Sequence, residues 1–435
     1  MAGIDQKKFL ASLKRGLSLG TRALSLYKLY GFRERPFKRD LIEQNSYLFV
    51  PPQVFYESGQ SLTSWITACH SAGRNGLVIG PPDVGKTTLA RFFVKELVKL
   101  AEQLQIQSQY IQLKGLANAS ESDQKPEELV IGSPHSIGLV AELRNKNLAE
   151  TDILLIDDID IGLRKETFVE ELSRYLQSEN QTIIGITTPS APPELTDLFD
   201  DIYKIRSIEY EAIIKMLKTR ILYYKENGEN KDNVSNISPF TEETLKRIGE
   251  YSMGLPGLAL DLADSCLRGS DDFNVDEITP ETIDLVAQIL QYPIAKAIEM
   301  GRSINYFEVE DGERKRKEWN LNNIGSKESI LKEILFQSRI YPETPGITNT
   351  RLSKSARISI QAHTISYHTN ILEKCKILEV QEGQREKKKG KFRYFTIRTP
   401  IMNAIELKFL SQKPPTSFEV NYPTFKGRGL GNQVP

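Results

Sequence analysis

The chain contains few of the residues that build disulfide frameworks and zinc sites. Its 435 residues include three cysteines and four histidines, and the cysteines, Cys69, Cys266 and Cys375, lie far apart. Scattered cysteines provide neither a disulfide frame nor the ligand spacing of a zinc site. The cysteine usage therefore excludes a small disulfide-stapled protein and favours a reducing compartment.

Long apolar runs and an excess of one charge are also missing. No run of about 18 apolar residues occurs and Met1 is not followed by a signal-peptide segment, so we expect a cytoplasmic protein with no membrane partner. Lys plus Arg and Asp plus Glu each number 57, so any nucleic-acid surface must be a local basic patch. With 39% hydrophobic residues the chain is globular, and its length leaves room for about three domains.

The strongest functional signal is a glycine-containing loop between an apolar strand and a helix with apolar residues at helical spacing. The loop fits G-x-x-x-x-G-K-[ST] and reads Gly80-Pro81-Pro82-Asp83-Val84-Gly85-Lys86-Thr87-Thr88. Such a loop points several N–H groups at one anion, and the helix N-terminus adds its dipole. Lys86 would reach the β- and γ-phosphates, and the Thr87 hydroxyl would bind Mg²⁺. The loop therefore predicts nucleoside triphosphate binding, the alternative being an ordinary glycine-rich turn.

Two further predicted strands end in residues suited to phosphate chemistry. Asp157 and Asp158 follow an apolar strand, at the end where open α/β sheets place their chemistry. Asp157 would bind Mg²⁺ and Asp158 would orient or deprotonate the attacking water, unless both are solvated turn acids. The next strand ends in Thr187 and Thr188, either of which would hydrogen-bond the γ-phosphate or the water, or cap a turn. Alternating strands and helices over 76–187 predict a parallel, doubly wound sheet.

Composition and periodicity divide the rest of the chain into further segments. Residues 6–30 have the pattern of a basic amphipathic helix, which would lie on a membrane surface or, as we favour, pack on the next domain. Residues 206–298 predict about four short helices, with Thr241 as a cap and Pro280 in a first turn. The predicted segments are an N-terminal helix with aromatic and proline residues (1–53), a nucleotide-binding domain (54–205), a helical domain (206–298), a linker (299–325), a third domain (326–410) and a flexible tail (411–435).

The third domain is predicted to be a winged helix, because three helices precede a β-hairpin. The hairpin is strongly basic at 385–393, with Arg385, Lys387, Lys388, Lys389, Lys391 and Arg393. Such a patch in a neutral protein favours contact with the phosphates of duplex DNA. Candidate groove contacts on the third helix are Gln361, His363, Thr364, Tyr367 and Asn370, with Ala362 facing inward. Alternatively, the domain packs against protein and the lysines keep the hairpin soluble.

Together these motifs resemble the AAA+ ATPases, and the domain order is similar to the origin-recognition proteins of archaea and eukaryotes. Asp157-Asp158 stands where that group's Walker B run usually has Asp-Glu, and Thr188 stands where its sensor-1 strand usually has Asn. Residues 30–37 and 47–51 are instead similar to the ExeA and TnsC ATPases, and their aromatic residues would line a base-binding slot. The resemblance implies an α/β P-loop AAA+ sheet with a helical lid and a C-terminal winged helix. It also implies ATP and Mg²⁺ as cofactors, and self-association or other AAA+ subunits as partners.

Two departures from the family pattern bear on hydrolysis. Gly257 occupies the sensor-2 position that carries Arg in the family, and residues 194–201 are acidic where an arginine finger is expected, so Arg206 or Arg220 would have to substitute. A missing finger costs several orders of magnitude in turnover. We therefore expect a slow, nucleotide-controlled DNA-binding switch in replication initiation or transposition. The alternatives are a STAND-like signalling or scaffold ATPase whose winged helix binds protein, and an ATP-binding module without catalysis.

Overall fold

The structure of the protein is a computed structural model that describes part of the chain. The described residues are 27–28, 30–38, 62–93, 108–113, 128–131, 152–164, 167–178, 181–225, 237–270, 277–320, 326–341, 344, 346–355, 357–384 and 391–411. The predictions for most of 6–30, for 47–51, for Arg385 and Lys387–Lys389, and for the tail from 412 onward lie outside these residues.

A six-stranded parallel sheet forms the centre of the first domain, in the order β3-β2-β4-β5-β1-β6. Its three central strands are apolar and buried along their whole length, as expected for a sheet covered on both faces. The predicted parallel α/β fold is confirmed. The strands are β1 (Gly76–Ile79), β2 (Ser108–Leu113), β3 (Glu128–Ile131), β4 (Ile153–Asp157), β5 (Thr182–Thr187) and β6 (Asp201–Lys204).

The sheet register places the three predicted functional strand ends side by side. Ile79 pairs with Thr187 across β1 and β5, and Ile156 pairs with Gly185 across β4 and β5. The helices of this domain are α1 (Leu62–Ser71), α2 (Phe168–Ser178) and α3 (Pro193–Thr196), with a 3₁₀ helix at Ile159–Arg164 and a helical stretch at 86–93. The loop after β1, Asp157 and Thr188 therefore meet at one edge of the sheet.

The second domain is helical, as predicted, with five helices among its described residues. They are α4 (Tyr210–Tyr224), α5 (Glu242–Ser252), α6 (Pro256–Ser270), α7 (Pro280–Ile289) and α8 (Tyr292–Glu299). The Thr241 hydroxyl accepts a hydrogen bond from the Thr244 amide and so caps α5, and Pro280 lies in the first turn of α7. Both sequence-predicted helix starts are confirmed.

Residues 30–38 pack against this helical domain. Phe32 and Phe37 are buried, and Phe37 meets Phe240 edge to face at 5.6 Å between ring centroids. The Arg35 guanidinium binds the buried Asp264 carboxylate of α6 through two hydrogen bonds of 2.9 and 2.7 Å. These contacts fix the segment on the helices, and the base-binding slot stays a prediction.

The prediction of a linker at 299–325 was wrong for most of that segment. The chain instead forms an antiparallel hairpin of β7 (Ile304–Glu310) and β8 (Glu313–Trp319). Asp311 and Gly312 have positive φ angles of 54° and 82°, which suits the tight turns that favour Asp-Gly. Some of the charges of the hairpin pair with each other, since Lys317 and Lys315 both contact Glu310.

The third domain has the order of elements expected for a winged helix. Three helices precede the antiparallel hairpin, and Ile347 forms a bridge to Phe395 in its second strand. A further helix after the hairpin packs against α8 of the helical domain. The elements are α9 (Ser326–Ile340), α10 (Asn349–Ser353), α11 (Ala362–Lys374), β9 (Glu379–Gln384), β10 (Lys391–Thr396) and α12 (Thr399–Ser411). None of the described helices is long and apolar enough to cross a membrane.

Candidate nucleotide site

The loop from Gly80 to Thr88 curls between β1 and the helix that follows it. Asp83 and Gly85 have φ angles of 64° and 93°, so the backbone turns through the left-handed region at both residues. The Lys86 ammonium is buried and donates to the carbonyl oxygens of Gly80 (2.6 Å) and Pro81 (2.8 Å). Burial, with a contribution from Arg339, lowers the pKa of Lys86 to about 8. The loop has the shape and the cation that a polyphosphate requires.

The two predicted Mg²⁺ ligands lie in direct contact. The Thr87 hydroxyl donates to Asp157 Oδ2 at 2.6 Å, and Asp157 Oδ1 accepts from the backbone amide of Asp158 at 2.9 Å. Hydroxyl and carboxylate oxygens are ligands that Mg²⁺ prefers, with water and phosphate oxygens completing its shell. The donor set therefore fits this ion. Among the described residues, no group of three or more His, Cys, Asp or Glu side chains forms a metal cluster.

The predicted water-activating carboxylate makes an unexpected contact with the third domain. Arg339, near the end of α9, donates from Nη2 to Asp158 Oδ1 at 2.5 Å and pairs through Nε with Asp160. Burial raises the pKa of the Asp160 carboxyl, opposed by the charge of Arg339. Burial alone would lower the pKa of Arg339, but Asp160 and Asp158 raise it above its usual range.

The end of β5 connects to the third domain through hydroxyl groups. Thr188 Oγ1 lies 3.1 Å from Ser190 Oγ, and the Ser190 hydroxyl donates to Glu406 Oε1 of α12 at 2.6 Å. Thr187 is also buried, and its hydroxyl has no hydrogen-bond partner among the described residues. Both threonines thus lie at the predicted place, and the choice between them as the γ-phosphate contact stays a prediction.

The loop is also contacted from the helical domain and from α12. The Gly257 amide donates to the Asp83 carbonyl at 2.9 Å, and a Cβ atom on Gly257 would lie 2.6 Å from Asp83 Cβ. On the other side, Asn403 Nδ2 donates to Asp83 Oδ2 at 2.8 Å. The start of α6 therefore lies too close to the loop at this position for any side chain, which explains why an arginine is absent there.

The two arginines suggested as replacements for the missing finger differ in position. Arg220 is fully buried in α4 and donates to the carbonyl oxygens of Lys38 (2.8 Å) and Pro36 (3.4 Å). Burial lowers its pKa to about 10. Arg220 therefore ties residues 36–38 to the helical domain and is not available as a finger. Arg206 is exposed, and its role stays a prediction.

The predicted DNA contacts of the third domain lie on one face of α11. His363, Tyr367 and Asn370 are exposed, with 56% of Tyr367 accessible, while Thr364 is half-buried. Arg393 of β10 donates to Asn370 Oδ1 at 2.8 Å and pairs with Glu373, so the hairpin is held against this helix. Lys391 is in β10, and only its backbone is described. The prediction that Ala362 faces inward was wrong, since this first residue of α11 is exposed.

Sequence reasoning missed four polar residues of the site: Asp160, Arg339, Asn403 and Glu406. Asp160 could have been suspected as a third acid directly after the strand. The other three lie more than 170 residues from the motifs that they contact, and no local pattern marks them.

The family comparison agrees with this geometry. Residues 76–207 match the family described as "ATPase family associated with various cellular activities (AAA)", so this segment is an AAA domain. No curated protein matches the sequence significantly.

Several solved structures align with most of the chain at low similarity. The Aeropyrum pernix ORC1 protein in complex with DNA is 14% identical, with 86% of this chain and 96% of that chain covered and a TM-score of 0.41. The Aeropyrum pernix ORC2 protein is 11% identical, with coverages of 87% and 98% and a TM-score of 0.41. The Thermotoga maritima RuvB Holliday junction branch migration motor is 15% identical, with coverages of 75% and 88% and a TM-score of 0.31. These values are too low to assign a function.

Proposed function

We propose that this chain, whose residues 76–207 form an AAA domain, binds Mg²⁺ and ATP and acts as a nucleotide-controlled, DNA-binding switch of the replication-initiator type. The observation that carries the proposal is the convergence of Lys86, Thr87 and Asp157 at the ends of β1 and β4, the two strands on either side of β5. The helical and C-terminal domains follow in the order that initiators share. Transposition is the alternative process. The proposed protein partners are further copies of this chain or other AAA+ subunits.

In this proposal the residues of the loop bind the polyphosphate and those of β4 act on water. The amides of the loop receive phosphate oxygens, and Lys86 exchanges its two carbonyl acceptors for phosphate. Thr87 and Asp157 hold Mg²⁺, which offsets the negative charge of the phosphates. Asp158 orients the attacking water, and Thr188 or Thr187 hydrogen-bonds the terminal phosphate. We propose slow hydrolysis, because Asp158 is paired with Arg339 and has a shorter side chain than Glu.

Nucleotide binding is tested by titrating the full chain with ATPγS in the presence of Mg²⁺. Lys86→Ala should weaken binding by about 100-fold or more, since it removes a charge-assisted contact to phosphate. Lys225→Ala is the matched control: Lys225 also donates to a carbonyl oxygen, that of Tyr30, but lies outside the site. Equal binding by the Lys86 variant and the wild type would refute the nucleotide assignment. Steady-state turnover that Asp158→Asn leaves unchanged would refute hydrolysis at this site.

DNA binding is tested separately, through its salt dependence. The exposed face of α11 and the basic hairpin beside it support a groove-and-backbone contact with duplex DNA. Affinity should fall steeply with salt, and replacing Lys387, Lys388 and Lys389 together by Ala should reduce the log–log slope by about 3 units. Affinity that does not respond to salt or to these substitutions would favour the protein-binding, STAND-like alternative.

A further inference from the structure

The ATP site obtains its second cation from outside the AAA domain. The helical domain has glycine at the position where an arginine is expected, and Arg220 is bound to residues 36–38. Arg339 comes from α9 of the third domain, 181 residues beyond Asp158 in the chain. Its guanidinium lies against the carboxylates that follow β4.

The position of Arg339 is supported by a dedicated partner. The side chain of Asp160 is 1% exposed, and Arg339 contacts it through Nε while Nη2 contacts Asp158. A buried carboxylate without a counter-charge is strongly destabilising, so Asp160 favours the arginine in this place. The third guanidinium nitrogen, Nη1, takes part in neither contact. The edge of the guanidinium that carries Nε and Nη2 is thus held by the two carboxylates, and Nη1 can donate to a ligand.

Neighbouring contacts hold the end of α9 at the site independently of Arg339. Arg164, in the 3₁₀ helix after β4, donates through Nε to the carbonyl oxygen of Ile340 and lies 5.5 Å from the ring centre of Tyr341. On the opposite side, α12 contacts the AAA domain through Asn403 with Asp83 and through Glu406 with Ser190. The third domain therefore borders the site from two sides.

The balance of charges at the site is compatible with a second cation that binds phosphate. Lys86 and Arg339 lie among four carboxyl groups, those of Asp157, Asp158, Asp160 and Glu406. ATP brings about four negative charges and Mg²⁺ neutralises two of them, so cationic donors beyond Lys86 are required at the terminal phosphate. A guanidinium is well suited, because its planar donors match two phosphate oxygens.

We propose that Arg339 is a phosphate-binding residue of the ATP site, supplied in cis by the third domain, and that it contacts the terminal phosphate of ATP. The inference rests on the proposed ATP binding. ADP lacks that phosphate, so Arg339 discriminates between the two nucleotides. ATP then holds the third domain against the AAA domain more firmly than ADP does, which links nucleotide state to the position of the DNA-binding elements.

The test is the ratio of ATPγS to ADP affinity, measured by titrating the full chain with each nucleotide and Mg²⁺. Arg339→Met combined with Asp160→Asn removes both partners of the buried ion pair, which avoids leaving one charge unpaired. This variant should lose about 10- to 100-fold in ATPγS affinity, the range for one charge-assisted hydrogen bond, with ADP affinity within about 3-fold of wild type. Arg339→Lys should recover part of the loss.

Arg164→Met is the matched control, because Arg164 supports the same interface through Ile340 and Tyr341. It should leave the ATPγS-to-ADP ratio unchanged. An equal loss for both nucleotides in the Arg339 variants, or the same ratio shift in Arg164→Met, would overturn the inference and assign Arg339 a structural role. If the wild type binds neither nucleotide, the proposed function itself fails, and this inference fails with it.

Discussion

The buried carboxyl of Glu406 predicts a pH dependence of stability that one substitution should remove. Glu406 is 2% exposed, and burial raises its pKa from 4.5 to about 7, although the Ser190 hydroxyl, Arg339 and Lys86 all act to lower it. Glu406 Oε1 accepts from Ser190, while Oε2 is buried and has no hydrogen-bond partner in the described parts of the chain. The folded protein therefore holds this proton more tightly than the unfolded chain does.

The difference between the folded-state and unfolded-state pKa of Glu406 sets how the free energy of unfolding depends on pH. An acid whose pKa is higher in the folded state stabilises the fold fully below pH 4.5, and this contribution is lost as the pH rises through about 7. At 1.4 kcal/mol per pKa unit, the change from 4.5 to about 7 corresponds to about 3 kcal/mol. Glu406→Gln keeps the shape of the side chain and cannot ionise, so it should be the more stable protein at pH 8.

The assay is urea unfolding of both proteins between pH 5 and pH 8, followed by circular dichroism. The domains of a long chain can unfold separately, so the transition that includes α12 is the one compared. The difference in free energy of unfolding between the two proteins should change by about 2–3 kcal/mol over this range, since part of the effect lies below pH 5. Glu328→Gln is the control, because Glu328 forms an ion pair with Lys332 at the surface. Loss of this pair should change the free energy of unfolding by less than about 1 kcal/mol at any pH. Parallel pH profiles for the wild type and Glu406→Gln would refute the reasoning.

Two further substitutions test one contact of the phosphate loop and one contact between the helical domain and residues 36–38. Gly257→Ala places a Cβ atom 2.6 Å from Asp83 Cβ, so α6 must move off the loop, and nucleotide titration should show weaker binding; unchanged affinity would mean that this contact is not needed. Arg220→Met should lower the free energy of unfolding by about 1–3 kcal/mol, because the carbonyl groups of Pro36 and Lys38 lose their donor. The rate of ATP hydrolysis per folded molecule of this variant should stay at the wild-type level. A loss of several orders of magnitude would instead show that Arg220 acts as an arginine finger.

Local chemistry made much of the fold predictable. The β1, β4 and β5 strands are short apolar runs, and such runs form strands that are buried on both faces. Thr241 and Pro280 mark helix starts through capping and a fixed φ angle, which depend only on near neighbours. The hairpin at 304–319 had a comparable signal in Asp311-Gly312, but its many charges suggested a linker. Only Tyr306 and Trp319 of the hairpin are buried, so the apolar alternation on which such predictions rest is weak.

By itself, the sequence determined the phosphate loop and the residues at the ends of β4 and β5. Backbone curvature at the loop and the common direction of parallel strands bring Lys86, Thr87 and Asp157 together at one edge of the sheet. Only the tertiary structure decided that Arg339 reaches Asp158, that Glu406 reaches Ser190, and that Arg220 is buried elsewhere. These contacts depend on how α9 and α12 pack on the AAA domain, and no spacing rule relates residues so far apart in the chain. The arginine that the family pattern places in the lid is missing there, and the fold instead brings Arg339 to the carboxylates from the third domain.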